Sequence, residues 1–330
     1  MSSDLPVISA RGLRKAFSVK GKVVEAVRGV DLAVQRGEIF GFLGPNGAGK
    51  TTTLRMLTTL LPIGRGEATV AGFDVARQPR QVRARTGYVS QLGGADELAT
   101  GRENLVLQGR LYGGTKAEVA ARADEVMEVL DLKGIADRRV KTYSGGQRRR
   151  LDVALGIVHR PDVLFLDEPS TGLDPQNRAH LWEYVRLLRS KGTTVFLTTH
   201  YLEEADALCE RVMIMDHGLI VAEGSPRELK RQVSGDRIVV SLRNDGRGAG
   251  VAVLAVRSLR FVREAAVHGD QVRLYVDDGT GALPELVRVL EKEGCRVSAV
   301  SLSEPTLDDV FLAKTGRSLR DVEPTGAEAA

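Results

Sequence analysis

The stretch Gly44-Pro45-Asn46-Gly47-Ala48-Gly49-Lys50-Thr51 decides the fold class of this 330-residue chain. It fits G-x-x-x-x-G-K-[ST], in which glycines turn successive backbone N–H groups toward an anion at a helix N-terminus. The apolar run Ile39–Leu43 predicts a buried strand before it. A helix is predicted after it, with Leu54, Leu57, Leu60 and Leu61 on one face. A chance glycine-rich turn would lack this context. The motif therefore predicts a polyphosphate site, with the Lys50 amine on the β- and γ-phosphates and the Thr51 hydroxyl on Mg²⁺.

The composition is that of an ordinary globular protein, with 42% hydrophobic and 27% charged residues and a net charge of only +4. This charge gives little support to a nucleic-acid or membrane surface. The N-terminus lacks the features of a signal peptide, and no apolar run approaches the ~20 residues that span a bilayer. Cys209 and Cys295 lie far apart, which predicts two buried or bystander thiols in a reducing compartment. We therefore expect a soluble or peripheral chain, whose membrane partner, if any, is another polypeptide.

Apolar patterns divide the first two thirds of the chain. Short runs within residues 7–35 predict antiparallel strands, and helical spacing from Val119 to Leu130 predicts an inserted helical region. Unbroken apolar runs at Val163–Leu166 and Thr194–Leu197 predict parallel strands buried on both faces, with a helix between them. A hairpin follows, turned by Asp216-His217-Gly218.

A second unit is predicted after a boundary near residues 224–236. Strands are expected at Ile238–Val240, Val272–Val276 and Val297–Val300, with a helix at Leu283–Leu290 between the last two. This order resembles a small split β-α-β arrangement.

An acidic pair ends the apolar run Val163–Leu166. Asp167 is placed to hold Mg²⁺ directly or through water, and Glu168 to act as a general base toward the γ-phosphate. By themselves, two acidic residues at this position more often mark an ordinary buried strand that ends in solvent-exposed carboxylates. The pair alone leaves both interpretations open.

The sequence Ser144-Gly145-Gly146-Gln147 ends 20 residues before Asp167. A Gly-Gly pair that opens a helix exposes N–H groups to an anion, and a plain helix start capped by Ser144 uses the same backbone, so the two interpretations are compatible. We expect Arg148, Arg149 and Arg150 to form a solvated basic face rather than a nucleic-acid patch, because no aromatic residues interleave with them.

Taken in order, these motifs resemble those of the ATP-binding-cassette (ABC) ATPases. Further elements of that family match Gln91 and His200, each after a strand, and Thr171-Gly172-Leu173-Asp174. The resemblance implies an α/β fold, a P-loop NTPase cassette with a mixed core sheet flanked by helices, an antiparallel β subdomain and a helical subdomain. A small α+β C-terminal domain follows. The expected bounds are 6–225 for the cassette, about 98–160 for its helical subdomain, 226–236 for a linker, 237–315 for the C-terminal domain and 316–330 for a disordered tail.

The resemblance also implies roles for individual residues. Glu168, His200 and Gln91 would be catalytic: His200 would hold the γ-phosphate, and Gln91 would contact Mg²⁺ or the attacking water and sense a membrane partner. The sequence at Ser144–Gln147 would bind the γ-phosphate held by an opposite subunit, with Asp174 at the interface. Phe17 matches an adenine-stacking aromatic but also fits a core residue. The implied nucleotide contacts are Phe17, Gly44, Pro45, Asn46, Gly47, Ala48, Gly49, Lys50, Thr51, Thr52, Ser144, Gly145, Gly146, Gln147 and Asp174, and the implied metal ligands are Thr51, Gln91 and Asp167.

A closer resemblance is to the daunorubicin and doxorubicin resistance ATP-binding proteins of drug exporters. Thr51–Leu57, Lys141–Asp152 and Leu307–Ala313 carry it. It implies an ATPase that forms a head-to-tail homodimer around two MgATP, because one phosphate loop and one Ser-Gly-Gly-Gln sequence make two half-sites. A separate ABC-2-like permease would hold it at the cytoplasmic face of the cell membrane, and no nucleic acid is expected. The alternatives are a soluble ABC ATPase acting on nucleic acid or the ribosome, an importer motor, and the ATPase of a lipid or polysaccharide exporter.

Overall fold

A computed structural model describes residues 5–19, 21–233, 235–243, 248–269, 271–303 and 305–318. These residues form two compact units, one ending at Pro226 and one from Arg227 to Ser318. The elements of the first unit are β1 (Ile8–Val19), β2 (Lys22–Val34), β3 (Ile39–Leu43), α1 (Lys50–Leu57), β4 (Arg65–Val70), β5 (Phe73–Asp74), α2 (Pro79–Arg85), β6 (Thr86–Val89), α3 (Gly101–Leu111), α4 (Lys116–Val129), α5 (Gly145–Ile157), β7 (Val163–Asp167), α6 (Pro175–Ser190), β8 (Thr194–Thr199), α7 (Leu202–Leu208), β9 (Arg211–Asp216) and β10 (Leu219–Gly224).

The core of the first unit is a six-stranded sheet in the order β10-β9-β3-β8-β7-β6. All neighbours are parallel except β9 and β10, which form the predicted hairpin. Every residue of β3, β7 and β8 is buried, as expected for parallel strands covered on both faces. The Phe196 ring lies 5.4–5.7 Å from three other phenylalanine rings, those of Phe40, Phe42 and Phe165. The prediction of an α/β fold with a mixed core sheet is confirmed.

A second sheet, in the order β2-β1-β4-β5, is antiparallel throughout. Its long strands β1 and β2 pair from Ile8 opposite Val34 to Val19 opposite Lys22. The short apolar runs predicted within residues 7–35 are thus parts of two long strands, and Val23 is 74% exposed where the strands extend beyond the core.

Helix α1 is shorter than its leucine spacing predicted. It ends at Leu57, and Thr59 adopts a left-handed backbone with φ of 65°. Leu54 and Leu57 are fully buried, whereas Leu60 is 52% exposed. The expectation that Leu60 shares the buried helical face was therefore wrong, because the helix has ended before it.

The inserted helices start at reciprocal caps. The side chains of Thr100, Thr115 and Ser144 each accept a hydrogen bond from the backbone N–H three residues later. The Glu or Gln side chain at that later position accepts in turn from the backbone N–H of the capping residue. Such boxes satisfy the free N–H groups of a helix start. A Cβ at Gly109 would lie 2.6 Å from Val119, so the missing side chain lets α3 and α4 pack closely.

The second unit contains α8 (Pro226–Gln232), β11 (Asp236–Leu242), α9 (Gly248–Arg257), β12 (Val262–His268), β13 (Gln271–Val276), α10 (Gly279–Lys292), β14 (Val297–Ser303) and α11 (Leu307–Thr315). Its antiparallel sheet has the order β12-β13-β11-β14, with α9 and α10 connecting β11 to β12 and β13 to β14. Helix α8 occupies the first part of the stretch expected to be a linker. The sequence interpretation lacked α9 and β12. Most of the expected tail, from residue 319, lies outside the described residues.

Candidate functional site

The phosphate loop wraps around the end of β3. The Lys50 amine is buried and donates to the carbonyls of Gly44 (2.7 Å) and Pro45 (3.0 Å). A Cβ at Gly44 would meet the Met215 carbonyl at 2.2 Å, so only glycine fits between the loop and β9. The loop is also held at its tip, because the Gly218 N–H donates to the Ala48 carbonyl at 2.9 Å. These contacts fix a loop whose backbone opens into α1, as anion binding requires.

Asp167 lies at the end of β7, beside the start of α1. Its Oδ1 accepts hydrogen bonds from the hydroxyls of Thr51 (3.0 Å) and Thr198 (2.7 Å), and its Oδ2 lies 3.4 Å from the Tyr88 hydroxyl. The parallel alignment of β6, β7 and β8 brings the three strand ends together. Because the Thr51 hydroxyl and the Asp167 carboxylate are adjacent hard oxygen donors, this donor set fits Mg²⁺.

Glu168 joins the phosphate loop to His200. Its Oε1 lies 3.3 Å from the Lys50 amine, its Oε2 lies 3.1 Å from His200 Nδ1, and the Thr171 hydroxyl donates to Oε2 at 3.3 Å. The backbone of Glu168 has φ of 45°, in the left-handed region that a non-glycine residue rarely occupies. The structure thus brings together Lys50, Glu168 and His200, which were predicted as site residues in three separate motifs.

The charges in this group set the titration of Glu168. Burial alone raises the pKa of the carboxyl, but the His200 contact and the Lys50 charge outweigh it and lower the pKa to about 2. Burial lowers the pKa of the Lys50 amine, against the opposing charges of Glu168 and Asp167. Each partner therefore favours the charged form of the other in a site that excludes most water.

The Ser144–Gln147 sequence forms the N-terminus of α5. The Ser144 hydroxyl accepts from the Gln147 N–H at 3.2 Å, and the Gln147 side chain accepts from the Ser144 N–H at 2.9 Å. Gly146 lies against α6, because a Cβ there would meet Asn177 Oδ1 at 2.1 Å. Asn177 in turn donates to the Asp174 side chain. The structure thereby connects this sequence to Asp174.

The prediction that Arg148, Arg149 and Arg150 form a solvated basic face on α5 was wrong, because Arg149 is buried. Its side chain is 8% exposed, whereas the Arg148 side chain is 39% exposed and pairs with Glu97. The Arg149 guanidinium donates to backbone carbonyls at the end of β7 and in the loop after β6. Arg150 is partly buried and binds Asp131 at 2.8 Å. The three arginines thus have three different environments.

Among the residues that the structure describes, Gln91 and Phe17 form no hydrogen bond with the phosphate loop, Asp167 or Glu168, and neither do Ser144–Gln147 and Asp174. Gln91 is exposed, and within the described part of the chain its side chain makes no hydrogen bond. Phe17 is half-buried on β1, with the Lys15 amine 5.7 Å from the ring centre. The sequence interpretation missed Thr198 and Tyr88. Their position at strand ends beside β7 was the available signal.

The described residues include no helix with the length and apolarity that crossing a bilayer requires.

Comparison with known proteins places these features in a family. Residues 27–171 match the family described as ABC transporter, and residues 224–315 match that described as ATP-binding protein DrrA1-3-like, C-terminal domain. The chain is 47% identical to the daunorubicin resistance ATP-binding protein DrrA2 of Streptomyces coeruleorubidus, over 96% of this chain and 97% of the relative. It is 41% identical to the doxorubicin resistance ATP-binding protein DrrA of Mycobacterium tuberculosis, over 96% and 95%.

Solved structures agree with the fold of the first unit. A dimeric ATP-binding cassette in a post-hydrolysis state, bound to ADP and Pi, superimposes with a TM-score of 0.61 at 23% identity. The match covers 66% of this chain and 98% of that cassette. At this identity the likeness concerns the fold.

Proposed function

Because this chain belongs to the ABC transporter family, whose ATP-binding cassettes hydrolyse ATP, we propose that it is the motor subunit of a membrane exporter of drugs or antibiotics. The observation that carries the proposal is the continuous group formed by the phosphate loop, Asp167, Glu168 and His200. Relatives along nearly the full chain are named for daunorubicin and doxorubicin resistance, which supports drug export.

Nucleotide binding follows from the loop. The N–H groups of Gly47–Thr52 and the Lys50 amine would bind the phosphates, and Phe17 would stack on the adenine. Thr51 and Asp167 would hold Mg²⁺, with Gln91 as a further contact. Bound there, Mg²⁺ neutralises charge on the phosphates. Lys50 now donates to two carbonyls and Glu168, so phosphate binding would redirect its amine toward the nucleotide.

Hydrolysis is assigned to Glu168, with His200 orienting its carboxylate. A phosphate that draws Lys50 away removes one of the charges that lower the pKa of Glu168, and so raises its basicity toward an attacking water. His200 Nδ1 lies 3.1 Å from Oε2, the other oxygen of the carboxylate, and the His200 side chain is 27% exposed. An N–H at Nδ1 would donate to Glu168, and an N–H at Nε2 would donate to the γ-phosphate, according to the tautomer.

The single phosphate loop and the single Ser144–Gln147 sequence favour a head-to-tail homodimer around two MgATP. In the capping box the Ser144 hydroxyl serves as an acceptor, which leaves its proton to donate to a γ-phosphate on the opposite subunit. Gly145 is exposed beside it, and the Asp174–Asn177 pair supports Gly146 from behind. Loss of the γ-phosphate would remove the shared ligand and open the dimer.

A separate ABC-2-like permease would hold the subunit at the cytoplasmic face of the membrane. We place its contact on the inserted helices. Leu107 and Leu111, one turn apart on α3, are 59% and 73% exposed, which is unusual for adjacent leucines on a packed helix. A cleft of about 450 Å³ begins beside them at Tyr112 and is lined further by charged residues such as Arg122 and Glu125. The second unit, including residues 237–315, would provide a further partner contact.

A variant that binds ATP without hydrolysing it, and so stays dimeric, tests this function. In the full chain, Glu168→Gln should bind ATP as wild type does, lose turnover and elute as a dimer with ATP and Mg²⁺. The same variant with ADP, and the double variant Glu168→Gln/Lys50→Met with ATP, should stay monomeric. Light scattering after gel filtration gives the mass, and phosphate release gives the rate. A Glu168→Gln protein that remains monomeric with ATP, or hydrolyses it at the wild-type rate, contradicts the proposal.

A further inference from the structure

Arg149 holds two segments against its own helix, α5, through hydrogen bonds to their main-chain carbonyls. Its Nε donates to the Pro169 carbonyl at 2.7 Å, and Nη2 lies 3.3 and 3.4 Å from the carbonyls of Asp167 and Glu168. Its Nη1 donates to the Ser90 carbonyl at 2.7 Å. A guanidinium presents its donors in a rigid fork, so these four bonds hold both segments at a set distance from α5.

We propose that Arg149 is a positioning residue for the Glu168 carboxylate and links it to the loop that carries Gln91. This inference rests on the proposed role of Glu168 in hydrolysis. The Arg149 guanidinium binds main-chain carbonyls of Asp167 and Glu168 and not their carboxylates, which would contact Mg²⁺ and the attacking water. It acts through the backbone of these two residues.

The backbone of Glu168 needs such a support. Its φ of 45° is a conformation that persists only where surrounding contacts determine it. On one side the Glu168 N–H donates to the Thr198 carbonyl (3.1 Å) and hydroxyl (3.0 Å). On the other side its carbonyl receives Arg149. The two contacts together fix the peptide planes on both sides of Cα, and hence the direction in which the carboxylate leaves the chain.

The loop after β6 is fastened at a second point on the same helix. Asp152, one turn beyond Arg149, accepts from the Gly94 N–H at 3.0 Å and lies 4.0 Å from Arg149 Nη1. A Cβ at Gly93 would lie 2.8 Å from the Asp152 carboxylate, so the loop approaches the helix closely. A shift of this loop, or of α5 when the opposite subunit's phosphate is bound, therefore acts on Arg149 and through it on Glu168.

Arginine variants of the full chain test the inference. Arg149→Met should lower kcat at saturating MgATP at least tenfold while the ATP dissociation constant stays within threefold, because the phosphate loop is untouched. Arg149→Lys keeps the charge without the fork and should recover part of kcat. Arg148→Met is the matched control one residue away, and should keep kcat within twofold. Each preparation is checked for stoichiometric ATP binding. A general loss of structure would abolish this binding, so a variant that binds ATP is folded.

A double variant separates positioning from an independent effect. Since Arg149 acts through Glu168, adding Arg149→Met to Glu168→Gln should leave the residual rate unchanged. A folded Arg149→Met protein with kcat within twofold of wild type overturns the inference, as does an equal loss of rate in both backgrounds. If Arg149→Met does not fold, Arg149→Lys decides by the same criteria. A Glu168→Gln protein with the wild-type rate would instead overturn the role of Glu168 itself, so the two failures are distinguishable.

Discussion

The buried charge group around Glu168 predicts a specific dependence of stability on pH. Replacing Glu168 by Gln keeps the shape of the side chain and removes the charge that faces Lys50 at 3.3 Å and His200 at 3.1 Å. The wild-type carboxyl titrates at about 2 in the folded chain against 4.5 as its ordinary value, and its side chain is 9% exposed. Because the pKa of this group differs between the folded and unfolded chain, the free energy of unfolding depends on pH.

The size of the effect follows from the two pKa values. A shift from 4.5 to about 2 corresponds to about 3 kcal/mol of stabilisation. Because the folded pKa is the lower one, this stabilisation is fully present above the unfolded value of 4.5 and is lost as the pH falls toward 2. Between pH 7 and pH 3, linkage gives a loss of about 2 kcal/mol from this residue. The Glu168→Gln variant has no such loss.

The measurement is urea unfolding at several pH values, followed by fluorescence. Trp182 is the single tryptophan and lies on α6, so its emission reports the first unit. Wild type should lose about 2 kcal/mol more unfolding free energy than Glu168→Gln between pH 7 and pH 3. The same chemical change at an exposed site, Glu183→Gln, should follow wild type. Parallel pH profiles for wild type and Glu168→Gln would refute the reasoning.

Two further substitutions test the contacts around the phosphate loop. Gly44→Ala places a Cβ 2.2 Å from a carbonyl of β9, so we expect the loop to shift and ATP affinity to fall about tenfold or more in equilibrium dialysis. Gly134→Ala is the control, because a Cβ at Gly134 would meet no heavy atom within 4 Å. Thr198→Val removes the buried hydroxyl that donates to Asp167, and should lower the unfolding free energy by about 1–3 kcal/mol in urea, whereas Thr69→Val at an exposed position should not. Unchanged affinity in the first case, or unchanged stability in the second, contradicts these assignments.

Features that depend on neighbouring residues were predictable from the sequence. The phosphate loop, the strands β7 and β8 and the β9–β10 hairpin each have a local signal. The hairpin turn uses His217 and Gly218 with φ of 45° and 80°, a conformation that Gly favours. Thr51 and Asp167 were predicted separately as Mg²⁺ ligands, and they meet because the loop after β3 and the end of β7 lie at the same edge of the parallel sheet.

Features that depend on distant packing were not predictable in the same way. Three consecutive arginines look alike in sequence, and Arg149 and Arg150 have the same three- and four-residue spacing from the buried residues Gly146 and Val153. That spacing separates Arg148 from the other two, but it does not indicate that Arg149 is the more deeply buried, with its side chain 8% exposed against 17% for Arg150. The difference is explained by the backbone carbonyls of other segments, to which Arg149 donates. Strand β12 alternates only weakly, and it is defined by its pairing with β13.

The hydrogen bond between the Gly218 N–H and the Ala48 carbonyl makes the hairpin turn an indicator of the phosphate loop. A backbone amide exchanges its proton with solvent deuterium only when such a bond opens, at a rate set by the free energy of local opening. Nucleotide that stabilises the loop should therefore slow deuterium uptake at Gly218, although this residue lies more than 160 positions after Lys50 in the chain. Peptides spanning the β9–β10 turn thus offer a label-free measure of nucleotide occupancy in the full chain.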